Sequence, residues 1–373
     1  MKNLLIAVNS FKECASSTYI TSTYKKLFKK DYNVFAHPMT DGGDGFLVVC
    51  KDRFKLQILT FKILNSFNNA ELKVDVGYDK ISKTLYLESA DVIGLKLLNK
   101  NYRNAAVLNS ENLGELFLKI IDKIIQEGII VNKLIIGVGG TAVTDLGAGM
   151  MRILGMNYLS KGIILKELKP VNFVLIDDVD VIYENLPFEI ELVIDVDNPL
   201  LGNNGAVRVF GKQKGLDKYQ MDLVEKGFVN LISLYEQNGF KIKKEKLSGA
   251  GGGIAAALQI FFKAKTISAE EFIMHKINLT EIKDKIDYVV TGEGKFDNQS
   301  VNNKVTGIIM KNFKNAEKIF LCCGQIDKAS KNLLPKNVDA IDFLKFHENV
   351  ENSMKNIDLS LKKSADLIIN RKK

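Results

Sequence analysis

Three histidines and four cysteines are all that 373 residues offer as imidazole or sulfur ligands and nucleophiles. Cys14, Cys50, Cys322 and Cys323 have neither metal-binding nor redox spacing, and the adjacent last two are poor disulfide partners. Reduced thiols in a cytoplasmic protein are therefore expected. His37, His275 and His347 form no cluster in sequence, which argues against a zinc hydrolase. No Gly-x-Ser-x-Gly elbow marks an acyl-transfer triad, and the Gly-x-x-x-x-Gly-Lys-Ser/Thr run of a P-loop is absent. Gly137, Gly139 and Ala142 fit a dinucleotide fingerprint, but the acid required roughly 20 residues on is missing. That stretch reads Met156-Asn157-Tyr158-Leu159-Ser160-Lys161, which disfavours NAD. No apolar run approaches a membrane span. The opening residues 1–9 are too short an apolar stretch for a signal peptide and read as a first strand. The net charge of +8 comes almost entirely from Lys scattered among Asn and Glu. With no Arg-rich or aromatic-interleaved tract, it describes a solvated surface rather than a nucleic-acid face.

The chain is long enough for two domains with sizeable cores. Its two ends share one rhythm. Strand 4–8, helix 17–30, strand 33–36 and a helix from about residue 44 are followed, after a long interval, by strand 287–291 and helix 304–313. Strand 318–322, a short helix 328–333, strand 340–343 and helix 349–369 complete the series. Five apolar strand–helix units predict a flavodoxin-like (Rossmann-type) three-layer domain with a parallel sheet, formed by residues 1–55 and 286–373. Residues 56–285 read as an inserted mixed α/β domain. It would contain an antiparallel meander (57–64, 72–77, 84–89), helix 112–126, strands 173–176 and 191–194, and helices 221–238 and 253–263. The active-site cleft is expected between the two domains.

Chemistry concentrates in glycine-punctuated turns at strand ends. The apolar run 134–136 drives into Gly137-Val138-Gly139-Gly140-Thr141-Ala142-Val143-Thr144-Asp145-Leu146-Gly147-Ala148-Gly149. Glycines admit a ligand close to the backbone, and a helix beginning there would offer free N–H groups to an anion. Thr141 and Thr144 add hydroxyls, and Asp145 adds a carboxylate suited to a metal. In Asp195-Val196-Asp197-Asn198-Pro199-Leu200-Leu201-Gly202, strand alternation would place Asp195 and Asp197 on one side, where paired carboxylates favour Mg²⁺ or acid–base work. Asn9-Ser10-Phe11-Lys12 ends the first strand, and Asp41-Gly42-Gly43-Asp44-Gly45 follows the second. Phe210-Gly211-Lys212-Gln213-Lys214-Gly215 supplies cations between glycines. Thr291-Gly292-Glu293-Gly294-Lys295-Phe296-Asp297-Asn298-Gln299-Ser300 ends a further strand. Each of these turns could equally be ordinary loop chemistry.

Taken in order, these segments resemble the type I glycerate kinase family over essentially the whole chain. The resemblance implies ATP- and Mg²⁺-dependent phosphorylation of D-glycerate, with 2-phosphoglycerate the favoured product. Residues 139–141 (Gly139, Gly140 and Thr141), with Asp145 and Glu293, would serve ATP. Asp195 and Asp197 would hold Mg²⁺ or orient the attacking hydroxyl, with Lys12 and Asp41 completing the catalytic set. Asn9, Ser10, Asn198, Lys214, Asp297 and Gln299 would face the substrate. No nucleic-acid or membrane partner is expected, and oligomeric state is left open, a homodimer being one option. The chain departs from the family pattern at several points: Asn9 stands for Asp, Asp44 for Glu, Thr144 for Asn and Leu146 for Gly. Ser110-Glu111-Asn112-Leu113-Gly114-Glu115-Leu116 loses a glycine and a hydroxyl, and Asn303-Lys304-Val305-Thr306 replaces Gly-Lys-x-Pro. These departures leave two alternatives: a kinase of another small hydroxy acid, or a catalytically silent nucleotide- or acid-binding relative.

Overall fold

The computed structural model describes residues 1–181, 185–298, 300–301 and 304–371. The strands, in chain order, are β1 (Asn3–Val8), β2 (Asn33–Ala36), β3 (Gln57–Asn65), β4 (Ala70–Asp79), β5 (Thr84–Glu88), β6 (Lys133–Gly137), β7 (Met156–Ser160) and β8 (Ile163–Ile164), followed by β9 (Asp178–Val181), β10 (Glu189–Ile194), β11 (Lys265–Ser268), β12 (Tyr288–Gly292), β13 (Lys295–Phe296), β14 (Lys318–Cys323), β15 (Gln325–Ile326) and β16 (Val338–Asp342). The chain forms two compact units. One comprises Met1–Lys55 with Ser268–Lys373, the other Leu56–Ile267.

The first unit holds a five-stranded sheet in the order β16-β14-β12-β1-β2, every pairing parallel. Leu4 through Val8 are all buried, as a strand covered on both faces requires. Helix Ser17–Phe28 starts at Ser16, whose hydroxyl accepts from the Tyr19 N–H at 3.2 Å. Ile20, Tyr24 and Phe28, four residues apart, give this helix a buried stripe. Tyr24 and Ser364 share a buried hydroxyl hydrogen bond at 2.8 Å, which ties the stripe to helix Ile357–Asn370. The expected C-terminal helix 349–369 is two helices, Val350–Lys355 and Ile357–Asn370, with Asn356 between them. The chain re-enters this unit at Ser268 rather than at the expected residue 286. Residues 268–285 are held there by apolar burial of Phe272, Ile273, Ile277 and Leu279, with the Phe272 ring 5.3 Å from that of Phe46.

The second unit holds a six-stranded sheet in the order β11-β10-β6-β5-β4-β3. The β3–β4–β5 meander is antiparallel, whereas β5, β6 and β10 run parallel. Helix Glu111–Glu127 covers the sheet with Leu113, Leu116, Phe117 and Ile120. The expected strand at 173–176 is instead a 3₁₀ helix, Pro170–Leu175. Pro170 presets its φ and withholds an N–H, while Asn230 Nδ2 donates to Phe173 O (2.9 Å) and Ile176 O (2.7 Å), taking the carbonyls a ladder would use. The strand follows as β9, paired with β7 in a small three-stranded sheet. Among the described residues no helix is long and apolar enough to cross a membrane.

Candidate active site

In the first unit the chain steps from β1 to β2 on one side, then resumes with β12 on the other side of β1. The order therefore reverses between β1 and β12, and open parallel sheets bind ligands beyond the carboxyl ends of the strands at such a point. Asn9 follows β1 there, its N–H donating to Gly292 O at 2.9 Å. Its amide is engaged at both ends: Nδ2 donates to Asp41 Oδ2 at 3.2 Å, and Oδ1 accepts from the Ser10 N–H at 2.8 Å. Asp41 also accepts from the Gly43 N–H at 3.3 Å. Glu293, just past β12, is buried and accepts from Thr306 Oγ1 at 2.5 Å. Burial pushes its carboxyl above the usual range and Asp41 adds to that, against the lowering pull of the Thr306 and Ser300 hydroxyls and Lys304. Lys12 lies 3.9 Å from Asp44 with both side chains open to water, a weak pair. The Asp297 N–H donates to Ser300 Oγ at 3.1 Å. Gln299 lies outside the described residues.

In the second unit the glycine turn after β6 differs from the expected strand–turn–helix. Thr141 bridges back to Gly94, and the helix begins only at Ala148 and ends at Ile153. Its N-terminus is occupied internally. Asp145, with no exposed surface, accepts from the Gly147 N–H (3.2 Å), the Gly149 N–H (3.0 Å), the Ser110 N–H (2.8 Å) and Ser110 Oγ (2.7 Å). With no exposed surface and these four donors upon it, Asp145 shapes the loop from inside. The anion-receiving groups lie earlier. Gly139 O accepts from Ser89 Oγ at 3.2 Å, and Gly140 O from the Leu95 N–H at 3.0 Å. The Gly139 and Gly140 N–H groups make no hydrogen bond among the described residues, and Gly140 is exposed.

Lys214 reaches this loop from the 3₁₀ turn Lys212–Lys214. Its Nζ is buried and donates to Thr141 Oγ1 at 3.0 Å and Val143 O at 2.8 Å, supporting the loop from beneath. Burial lowers its pKa to about 7, partly opposed by Asp145. Beside β6, β10 pairs Val193 with Gly137, and Val193 O accepts from the Val138 N–H at 3.2 Å, so the two strands end side by side. Because β10 ends at Ile194, strand alternation does not extend to Asp195 and Asp197: Asp195 is half-buried and Asp197 exposed. Asn198 pins the following turn, with Nδ2 on Asn204 O at 2.8 Å and its carbonyl on the Gly249 N–H at 2.9 Å. Among the described residues no group of three or more His, Cys, Asp or Glu side chains is placed to hold a metal ion.

Two further groups lie outside the sequence motifs. Glu88, buried at the end of β5 beside Gly137, pairs with Lys96 at 2.8 Å, and Lys96 also meets Asp91 at 2.5 Å. Arg103 donates through Nη2 to Leu95 O at 3.3 Å. The signal in the sequence is scarcity: the chain has five arginines among 52 cationic residues, so each Arg stands out against the Lys-rich background.

The sequence model of the glycerate kinase family matches residues 4–372. The chain belongs to the glycerate kinase family. That family comprises phosphotransferases with an alcohol acceptor. A glycerate kinase of Neisseria meningitidis serogroup B is 29% identical over 98% of this chain and 97% of its own length. A glycerate 2-kinase of Escherichia coli K12 is also 29% identical, over 81% of this chain and 79% of its own. The crystal structure of a Salmonella typhimurium LT2 protein, described as a candidate glycerate kinase 2, matches with a TM-score of 0.76 over all of both chains at 22% identity, and so shares the mixed α/β fold. Departures from the glycerate kinase pattern have structural consequences. Leu146 takes φ +50°, the left-handed region that suits the family's Gly, and Thr306, in place of Pro, supplies the hydroxyl that holds Glu293.

Proposed function

We propose that this protein transfers the γ-phosphoryl group of ATP to a hydroxyl of D-glycerate, with 2-phosphoglycerate as product. The observation that carries this reading is the glycine turn, whose Gly139 and Gly140 carbonyls are tied back while their N–H groups are left for an anion. The 2-phosphoglycerate assignment is supported by the Escherichia coli relative named glycerate 2-kinase. The strand order β16-β14-β12-β1-β2 supports reading the first unit as flavodoxin-like, and the two compact units support the two-domain layout.

Phosphoryl transfer asks a protein for alignment and charge stabilisation more than for covalent chemistry. In this reading the Gly139–Gly140 backbone receives phosphate oxygens, and Lys214 and Asp145 hold that turn in shape. Asp195 and Asp197 would hold Mg²⁺. Carboxylate oxygens suit that ion, which would neutralise phosphoryl charge. Within the first unit, taken by itself, Asn9, Asp41 and Glu293, with Ser10, Lys12 and Asp297 on the same loops, are the groups a hydroxy acid would meet. The test is ADP release with D-glycerate, L-glycerate, tartronate and related acids. D-glycerate should be turned over fastest. Preference for another acid moves the protein to that substrate, and no turnover with any acid supports the silent-relative reading.

A further inference from the structure

Arg103 stands apart from the other cations around the glycine turn. Lys96 is neutralised by Glu88 and Asp91, and Lys214 is enclosed by two acceptors. The Arg103 Nε is sealed from solvent with no hydrogen-bond partner, and Nη2 meets only the Leu95 carbonyl, at 3.3 Å. No carboxylate pairs with Arg103 among the described residues. A guanidinium keeps its charge at any working pH, so burying part of it against a neutral carbonyl leaves a desolvation cost uncompensated.

The backbone nevertheless holds this segment firmly. The Ala105 N–H donates to Lys214 O at 2.9 Å. Gly215, at φ +88°, lies so close that a Cβ there would stand 2.1 Å from the Arg103 carbonyl oxygen. Leu95, which receives the guanidinium through its carbonyl, donates its own N–H to Gly140 O at 3.0 Å. The cation is thus anchored one residue away from the turn whose Gly139 and Gly140 N–H groups are unengaged.

We propose that Arg103 and the Gly139 and Gly140 N–H groups form one oxyanion-binding site, in which the guanidinium contacts a carboxylate or phosphoryl oxygen of a substrate. Planar N–H pairs match the geometry of both groups, and backbone N–H donors add to the positive field without a further charge. The proposal builds on the kinase reading of the glycine turn and adds to it a binding residue on a different segment.

Direct binding separates the two ideas. Calorimetry on the full chain would use ATP and D-glycerate, each alone, with wild type, Arg103→Ala, Arg103→Gln and Arg103→Lys, each checked for a native thermal transition. Loss of a charge-assisted contact should weaken one ligand by about tenfold or more in Arg103→Ala and Arg103→Gln. Arg103→Lys should recover part of the loss, and added guanidinium chloride should restore binding to Arg103→Ala. A loss confined to ATP identifies a phosphoryl oxygen, and a loss confined to D-glycerate identifies the carboxylate. Unchanged binding of both ligands overturns the site. So does an equal loss for both without guanidinium rescue, or a wild type that binds neither. A wild type that binds but does not turn over sinks the kinase reading and leaves the oxyanion site standing. Should Arg103→Ala fail to fold, Arg103→Gln and Arg103→Lys carry the same comparison.

Discussion

Asn9 Nδ2 donates to Asp41 Oδ2 across 3.2 Å, so the amide that replaces the family's Asp serves as a donor to the neighbouring carboxylate. The missing charge by itself leaves Asn9→Asp open to faster turnover, or to little change or added repulsion against an anionic ligand. The geometry favours the second. Two carboxylates at this separation share a proton, and one pKa of the pair rises. Asn9→Asp should therefore lower kcat/KM for D-glycerate at neutral pH, with the deficit shrinking as pH falls. The kcat/KM–pH profiles of both forms check this; a gain for the variant at every pH contradicts it.

Lys214 predicts a pH-dependent stability. Its pKa falls from an ordinary 10.5 to about 7 on folding. Below pH 7 both states hold the proton, and the burial cost of the ammonium is present in full. Between 7 and 10.5 the unfolded chain binds more protons than the native one, so stability rises with pH across that window. Urea denaturation of wild type and Lys214→Met across it should show wild type gaining on the variant as pH increases. Parallel stability curves would argue that Lys214 titrates normally.

Leu146 is buried at φ +50°, where its packing and its backbone pull in opposite directions. Leu146→Ala loses the packing and keeps the strain, costing about 2–5 kcal/mol. Leu146→Gly removes more side chain yet relieves the left-handed backbone, and should cost about 1 kcal/mol less than Leu146→Ala. Chemical denaturation of the pair decides it, and a glycine variant less stable than the alanine variant would refute the strain.

Thr306→Val removes the hydroxyl that lowers the Glu293 pKa. With that pKa raised further, the native carboxylate becomes costlier as pH rises through it. The variant should lose about 1–3 kcal/mol at neutral pH and less in acid. Equal losses in acid and at neutral pH would show that Glu293 does not titrate against this hydroxyl.

Local pattern carried much of the fold. The apolar runs at residues 4–8 and 134–136, each leading into a turn, read as covered strands, and alternation marks the meander. What escaped depended on distant partners. A short apolar run such as 173–176 is compatible with strand or helix, and Asn230, far along the chain, takes its carbonyls. Asp145 looked like a ligand because nothing near it in sequence reveals Ser110 as its donor. Strand periodicity does not reach Asp195 and Asp197 because β10 ends at Ile194. Arg103 is a lone residue outside any motif, and its meaning comes only from the carbonyl and the empty N–H groups around it.

The most direct test of the account is a phosphorus NMR spectrum of the protein with Mg²⁺-ATP and D-glycerate. ATP signals should give way to ADP and one phosphomonoester, 2-phosphoglycerate, only when D-glycerate is present and not when EDTA removes the metal. Intact ATP, or ADP accompanied by inorganic phosphate alone, would contradict it.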